Sequence, residues 1–379
     1  MAARLPDELV DLILLRLPPS DPGSLVRAAL VCRTWRRLLS APAFRRRFLD
    51  FRRRSPPMLG FLYRAAPGHG ARFMPTPSFR PPFAGGRPAA WRAVDARHGR
   101  VLYFDGESVP FEPVLVDLVV SHPFTGEERR ITTPRNFFRH CSWSGALLCA
   151  ALGCGHLDCP PAGPFAVVFV GTDEGEERTR AYHYSSESGK WSNAAFIDHP
   201  TDRVTEGRSV LVENAVYFIW EESNGILQYD LGKQELSMIS LPPVCKDWFV
   251  AVMTAEDGGL GFAIVKDFKL HMWSREQGPD GSGWAQRRVV ELKSVAPDCS
   301  LSTLPSNVVP FASGDSVIFA FTRDVGVFAI DVKSGRITKV CKVGAVYGVV
   351  PYICFYVPAL KAANGVLRQR KIDHFFQKK

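Results

Sequence analysis

The stretch LVVSHPFTGEERRITTP, residues 118–134, runs an apolar strand into a polar turn at His122 and leaves along a second, more polar strand. The same plan returns in ILQYDLGKQELSMISLP (226–242) around Asp230 and in GVFAIDVKSGRITKV (326–340) around Asp331. Looser versions are RAYHYSSESGKWSN (180–193) and LHMWSREQGPDGSGWAQ (270–286), with Tyr184 and Trp273 at the marker position. Several units follow an aromatic-rich strand: GRVLYF (99–104), NAVYFIW (214–220) and DSVIFAF (315–321). Marker-to-marker steps run from 43 to 62 residues, compatible with four-stranded propeller blades of ~40–50 residues that carry insertions. Strands at MLGFLY (58–63) and VVPYICFYV (349–357) bring the expectation to about six blades. A bent pair of β-sandwiches is the competing architecture, because the repeats diverge and the marker residue changes.

Composition supports short strands and punctuated turns: among 379 residues, 46% are hydrophobic, with 31 Gly, 29 Pro and 26 Phe. The length suggests two or three units. The net charge of +9 is local. Residues 27–54 hold ten Arg, no Lys and one acid, Asp50, and so account for all of it. The tail from Lys361 carries +5, residues 1–26 carry −2, and the body 55–360 is left at −3. That body lacks the basic footprint of a phosphate-binding surface, so direct nucleic-acid binding is not expected. Nine Cys with no C-x-x-C pair, no signal-like N-terminal run and no uncharged run of the ~18–20 residues a bilayer requires lead to three expectations. These are reduced thiols, a cytoplasmic and/or nuclear location, and no membrane partner.

The N-terminus reads as helices. In LPDELVDLILLRL (5–17), Pro6 suits a first turn, Asp7 and Glu8 complement the helix dipole, and Leu9, Leu12, Ile13, Arg16 and Leu17 follow helical spacing. Pro18-Pro19 ends that helix, and Ser20, Asp21 or Ser24 can cap a second. In ALVCRTWRRLLSAPAFRRRF (29–48), Leu30, Val31, Trp35, Leu38 and Leu39 fall on one face, with Arg33, Arg36 and Arg37 mostly off it. Pro42 stops this helix and AFRRRFLDF starts a short third one. About fifty residues in a few short helices make a marginal core, so an apolar surplus implies a partner.

Leu5-Pro6 with Glu8 and Leu9, Leu17-Pro18, and Leu30-Val31-Cys32 with Trp35 and Leu38 resemble the F-box. The resemblance implies docking on the Skp-type adaptor of a cullin–RING (SCF-type) ubiquitin ligase. It assigns adaptor contact to Leu5, Pro6, Leu9, Ile13, Leu17, Val31, Trp35 and Leu38; the bland alternative is that some of these, Trp35 and Leu38 first, fill the module's own core. The inter-helix PPSDPGSLVR is somewhat longer than in many family members. The body, with PPMLGFLY and CGHLDC, is similar to the C-terminal halves of F-box proteins expanded in grasses.

The expected fold class is α+β multidomain: a small all-α module (1–50), a basic linker (51–58), an all-β, kelch-like β-propeller domain (59–360) and a basic tail (361–379). The expected function is a non-catalytic substrate receptor of the ligase, with an unknown protein target read by propeller loops such as 67–90, 153–164 and 275–284. No G-x-S-x-G, H-E-x-x-H or Walker loop is present. Asp95, His98, Asp105 and His122 lie near one another in sequence, as scattered turn residues do.

Cys141, Cys149, Cys154, His156 and Cys159 include soft ligands for zinc, but lack the paired knuckle that aims two thiolates at one ion, and buried thiols are the preferred reading. No metal or cofactor is expected. In the tail, Gln369, Ile372, Phe375 and Phe376 fit Q-x-x-I-x-x-F-F, which resembles the peptide that replication and repair proteins insert into the DNA sliding clamp. With the arginine segment, this supports an alternative: a nuclear nucleic-acid- or chromatin-associated binding protein.

Overall fold

A computed structural model describes residues 6–354 apart from 18–21, 52–57, 66–68, 77–86, 107–116, 124, 134–141, 155, 157–158, 161, 174, 199–202, 221–224, 247, 277–282, 295–308, 314–316, 323–325 and 342–346. It comprises a helical unit and a β unit.

The repeat plan read from the sequence is the third strand, turn and fourth strand of a blade. In blade 1 the strands are Trp91–Arg97, Arg100–Asp105, Asp117–His122 and Glu127–Thr132. His122, Asp230 and Asp331 each end a third strand and tie the following turn. Asp230 Oδ1 accepts from the Gly232 and Lys233 amides, both at 2.9 Å. Asp331 Oδ1 accepts from the Ser334 amide (2.6 Å) and hydroxyl (2.7 Å). His122 does the same work through Nδ1, which lies 3.3 Å from the Thr125 amide. The marker can change because any short acceptor at this position closes the turn. Four residues on, the chain turns left-handed at Gly126, Gly189, Gln234 and Gly335. In each case that residue's amide donates to the carbonyl at the strand end, at 2.8–2.9 Å. In blade 2 the strand end is Ser185, one residue beyond the Tyr184 marker.

Burial within a blade is graded. Second strands are apolar on both faces because neighbouring blades cover them: Phe165–Asp173 in blade 2 and Ala215–Trp220 in blade 3 are buried throughout. Fourth strands are exposed, as in Glu127–Thr132, where only Ile131 is buried. Blade 2 starts with Ser142–Cys149, blade 3 with Val204–Val212, blade 4 with Val250–Thr254 and blade 5 with Val309–Ser313. These innermost strands neighbour one another in sequence order around a ring.

The ring is closed by the two ends of the β unit. Met58–Arg64 pairs antiparallel with Tyr347–Ile353, aligning Phe61 with Pro351 and Leu62 with Val350. Arg72–Pro75 adds a third strand, and Tyr352 Oη donates to the Gly99 carbonyl of blade 1 at 2.9 Å. The expectation of about six blades is therefore adjusted to five full blades plus a three-stranded closing sheet. MLGFLY and the described start of VVPYICFYV, up to Ile353, share that one sheet, because a ring needs its first and last strands joined. Two indole N–H groups pin neighbouring blades: Trp191 Nε1 donates to the Thr132 carbonyl and Trp284 Nε1 to the Ser240 carbonyl, each at 2.9 Å.

Candidate functional site: the outward face of the helical unit

The helices are α1 (Asp7–Leu15), α2 (Pro22–Val31), α3 (Arg33–Ser40) and α4 (Pro42–Phe51). Pro6 precedes α1, whose first turn holds Asp7 and Glu8 against the positive end of the helix dipole. The Cys32 thiol caps α3 by accepting from the Trp35 amide at 3.5 Å. Inside the unit, Val10, Leu14 and Leu15 of α1 are buried, together with Leu25, Ala28 and Ala29 of α2, Leu39 of α3 and the stacked Phe44 and Phe48 of α4. Asp11, also buried, is held by Arg47 of α4 at 2.6 Å. The acid that interrupts the apolar run of α1 is thus an internal tie.

With those residues occupied inside, the rest of the apolar stripe points out. Leu9, Leu12 and Ile13 of α1 and Leu30 and Val31 of α2 are between 46% and 64% exposed. Leu9, Leu12 and Ile13 stand at i, i+3 and i+4, which places them on one side of the helix. Leu17, Trp35 and Leu38 are half-buried and Pro6 is exposed. The single second helix expected to carry Leu30, Val31, Trp35, Leu38 and Leu39 on one face is broken at Cys32 into α2 and α3, and Leu39 is core. Leu12 and Leu30, outside the set the resemblance assigns, are exposed alongside Leu9 and Val31, and the i+3 spacing from Leu9 signals Leu12 in the sequence. Leu5, and the tail residues Gln369, Ile372, Phe375 and Phe376, lie outside the described residues, as does Cys141.

Asp95, Arg97 and Asp105 of the β unit are engaged structurally. Asp95 Oδ2 accepts from the Leu147 amide of blade 2 at 2.7 Å and sits 3.4 Å from Arg97. Burial raises its carboxyl above the ordinary range, against the opposing pull of Arg97. Arg97 reaches across to the Ser209 hydroxyl of blade 3 at 2.9 Å. Asp105 pairs with Arg130 at 2.6 Å. His98 is lowered to about 4 by burial first and then by the charges of His156, Arg97 and Arg100. Arg92 lies over both Phe104 (4.7 Å) and Trp143 (4.6 Å), a stacking contact that the sequence pattern does not signal. Parts of the loops 67–90, 153–164 and 275–284 lie outside the described residues.

An F-box-like family model matches residues 2–50, and a model described as F-box protein AT5G49610-like, beta-propeller, matches residues 92–360. This chain belongs to the F-box proteins of the AT5G49610-like β-propeller family. The outward leucine face therefore lies on an F-box. No curated protein matches the chain in sequence. Among solved structures it is similar to a chain of the nidogen/laminin complex at 13% identity, covering 78% of this chain and 98% of that one with a TM-score of 0.44. It is also similar to a Lactobacillus plantarum protein at 10% identity, over 76% and 98% of the two chains with a TM-score of 0.40. A third is apo AztD of Citrobacter koseri, at 9% identity over 77% and 88% with a TM-score of 0.38. No described helix is long and apolar enough to cross a membrane.

Proposed function

We propose that this F-box protein is the substrate-recognition subunit of an SCF-type cullin–RING ubiquitin ligase. The observation that carries the reading is the exposed side of α1, Leu9, Leu12 and Ile13, on a unit whose family is the F-box. Burying one such side chain on a partner is worth about 1.5–3 kcal/mol, so a few of them supply most of a stable interface. The Skp-type adaptor is the partner, and Leu9, Leu12, Ile13, Leu30 and Val31 are the apolar contacts most open to it. The propeller holds the protein target through its rim loops, and the bond-making steps of ubiquitin transfer belong to other subunits.

Co-expression of the full chain with a Skp-type adaptor tests the reading. One complex on size-exclusion chromatography, lost in the doubly substituted Leu9→Asp, Ile13→Asp chain, supports it. Separate elution of the wild-type chain and the adaptor contradicts it.

A further inference from the structure

We propose that Cys149, Cys154, His156 and Cys159 form a structural zinc site at the base of the loop that leaves the innermost strand of blade 2. The spacing, C-x₄-C-x-H-x₂-C, has no paired knuckle and by itself does not point to zinc. The fold supplies what the spacing lacks. Cys149 comes from the end of strand Ser142–Cys149, and the loop folds back so that Cys154, His156 and Cys159 meet it.

One ligand atom from each of the four residues lies within 4.8 Å of all the others. Cys154 Sγ and Cys159 Sγ are 3.6 Å apart, and Cys159 Sγ is 3.9 Å from His156 Nδ1. Tetrahedral zinc, with bonds of about 2.3 Å to sulfur and ~2.0–2.1 Å to nitrogen, sets its ligand atoms roughly 3.5–3.8 Å apart.

The loop is built to hold this arrangement. Gly153 and His156 take left-handed backbone, at φ 67° and 58°. The Cys154 amide donates to the Ala151 carbonyl at 3.2 Å, and the Ala150 amide to the Pro164 carbonyl at 3.1 Å. Arg100 Nη2 clamps the returning chain through the carbonyls of Pro160 (2.8 Å) and Gly163 (2.6 Å).

Charge provides a second observation. Three thiolates and a neutral imidazole on a dication leave one net negative charge, which an apolar setting penalises unless a cation is near. Arg100, 2% exposed, interacts electrostatically with Cys149, Cys159 and Cys154. Four protein ligands complete the tetrahedron and leave no open position, so the metal has a structural role. It fastens a loop that carries the fully exposed Leu152. The proposal does not depend on the receptor reading.

The test uses the full chain purified under reducing conditions with neither chelator nor added metal. Elemental analysis by mass spectrometry is expected to give about one zinc per chain. Exchange with cobalt(II) is expected to give the intense visible bands of tetrahedral thiolate coordination. His156→Ala and Cys154→Ser, at exposed and half-buried positions, are each expected to weaken metal binding by ~10-fold or more. The proposal is overturned if the wild-type chain holds no stoichiometric metal and shows no cobalt bands after reconstitution. A Cys154–Cys159 disulfide that persists through purification under reducing conditions overturns it, as does full metal retention by a chain carrying both His156→Ala and Cys154→Ser.

Discussion

The helical unit and the propeller solve the burial problem in opposite ways. Among the described residues, six of the thirteen exposed large hydrophobic side chains lie in the short helical unit: Leu9, Leu12, Ile13, Leu30, Val31 and Phe51. The other seven are spread through blades 2 to 4 of a much longer segment. The propeller closes on itself, with the second strands of blades 2 and 3 buried throughout and the first and last strands joined. The helical unit has too few residues to cover its own leucines. The difference teaches that the propeller is complete as a structure, whereas the helices keep an apolar face that their own unit does not cover.

The hardest blow to this contrast is a cavity in the small core. Phe48→Ala should cost about 3–5 kcal/mol, enough to unfold the helical unit while the propeller's thermal transition stays in place; one shared loss of both transitions in calorimetry would show that the units are not independent. In the propeller, Gly335→Ala should cost roughly 2 kcal/mol or more, because a Cβ there overlaps the Glu291 carbonyl of blade 4 as well as straining a φ of 70°. Gly189→Ala, with φ 67° and open space around it, should cost only about 1 kcal/mol. Denaturant midpoints measured on the two variants separate blade packing from turn geometry.

Acid separates the units in another way. Residues 1–53 contain no histidine, whereas burial lowers the pKa of His122, His183 and His271 in the propeller. Their unfolded forms bind protons first, so propeller stability is intact above the ordinary histidine pKa of ~6.5 and is lost as pH falls below it towards the lowered folded values. His122 would also lose its acceptor role toward the Thr125 amide. The propeller melting temperature should fall between pH 7 and pH 5 while the helical transition stays level; a flat propeller profile would show these rings to be freely solvated. The smallest effect expected is a gain. Gln234 occupies the left-handed position that its three counterparts give to glycine, so Gln234→Gly should stabilise by about 0.5–1 kcal/mol, seen as a raised denaturant midpoint.

The repeat plan was readable because a hairpin turn constrains few atoms: an acceptor at the strand end and a left-handed residue four positions on. His122, Asp230 and Asp331 meet that need with different side chains, so the sequence shows the repeat while disguising its marker. Closure was not readable. Nothing local in MLGFLY or VVPYICFYV says that Leu62 lies against Val350, since the pairing spans almost the whole β unit. The helical face was readable as a stripe, but not its division between core and partner. Leu38 and Leu39 are adjacent letters, yet Leu39 is buried and Leu38 only half-buried, a division that depends on how the helices pack. The four soft ligands were visible as letters, yet their convergence depends on a strand end meeting the return of a loop.

The most direct measurement is the affinity of the Skp-type adaptor for the full chain and for Leu9→Asp, Ile13→Asp, titrated calorimetrically beside each chain's melting curve. Interface-centre side chains of this kind are worth about 2 kcal/mol or more each, so the double variant should bind ~1,000-fold or more weakly. Both residues are already solvent-facing, and its melting temperature should be unchanged. Undiminished affinity in the folded variant would contradict the account.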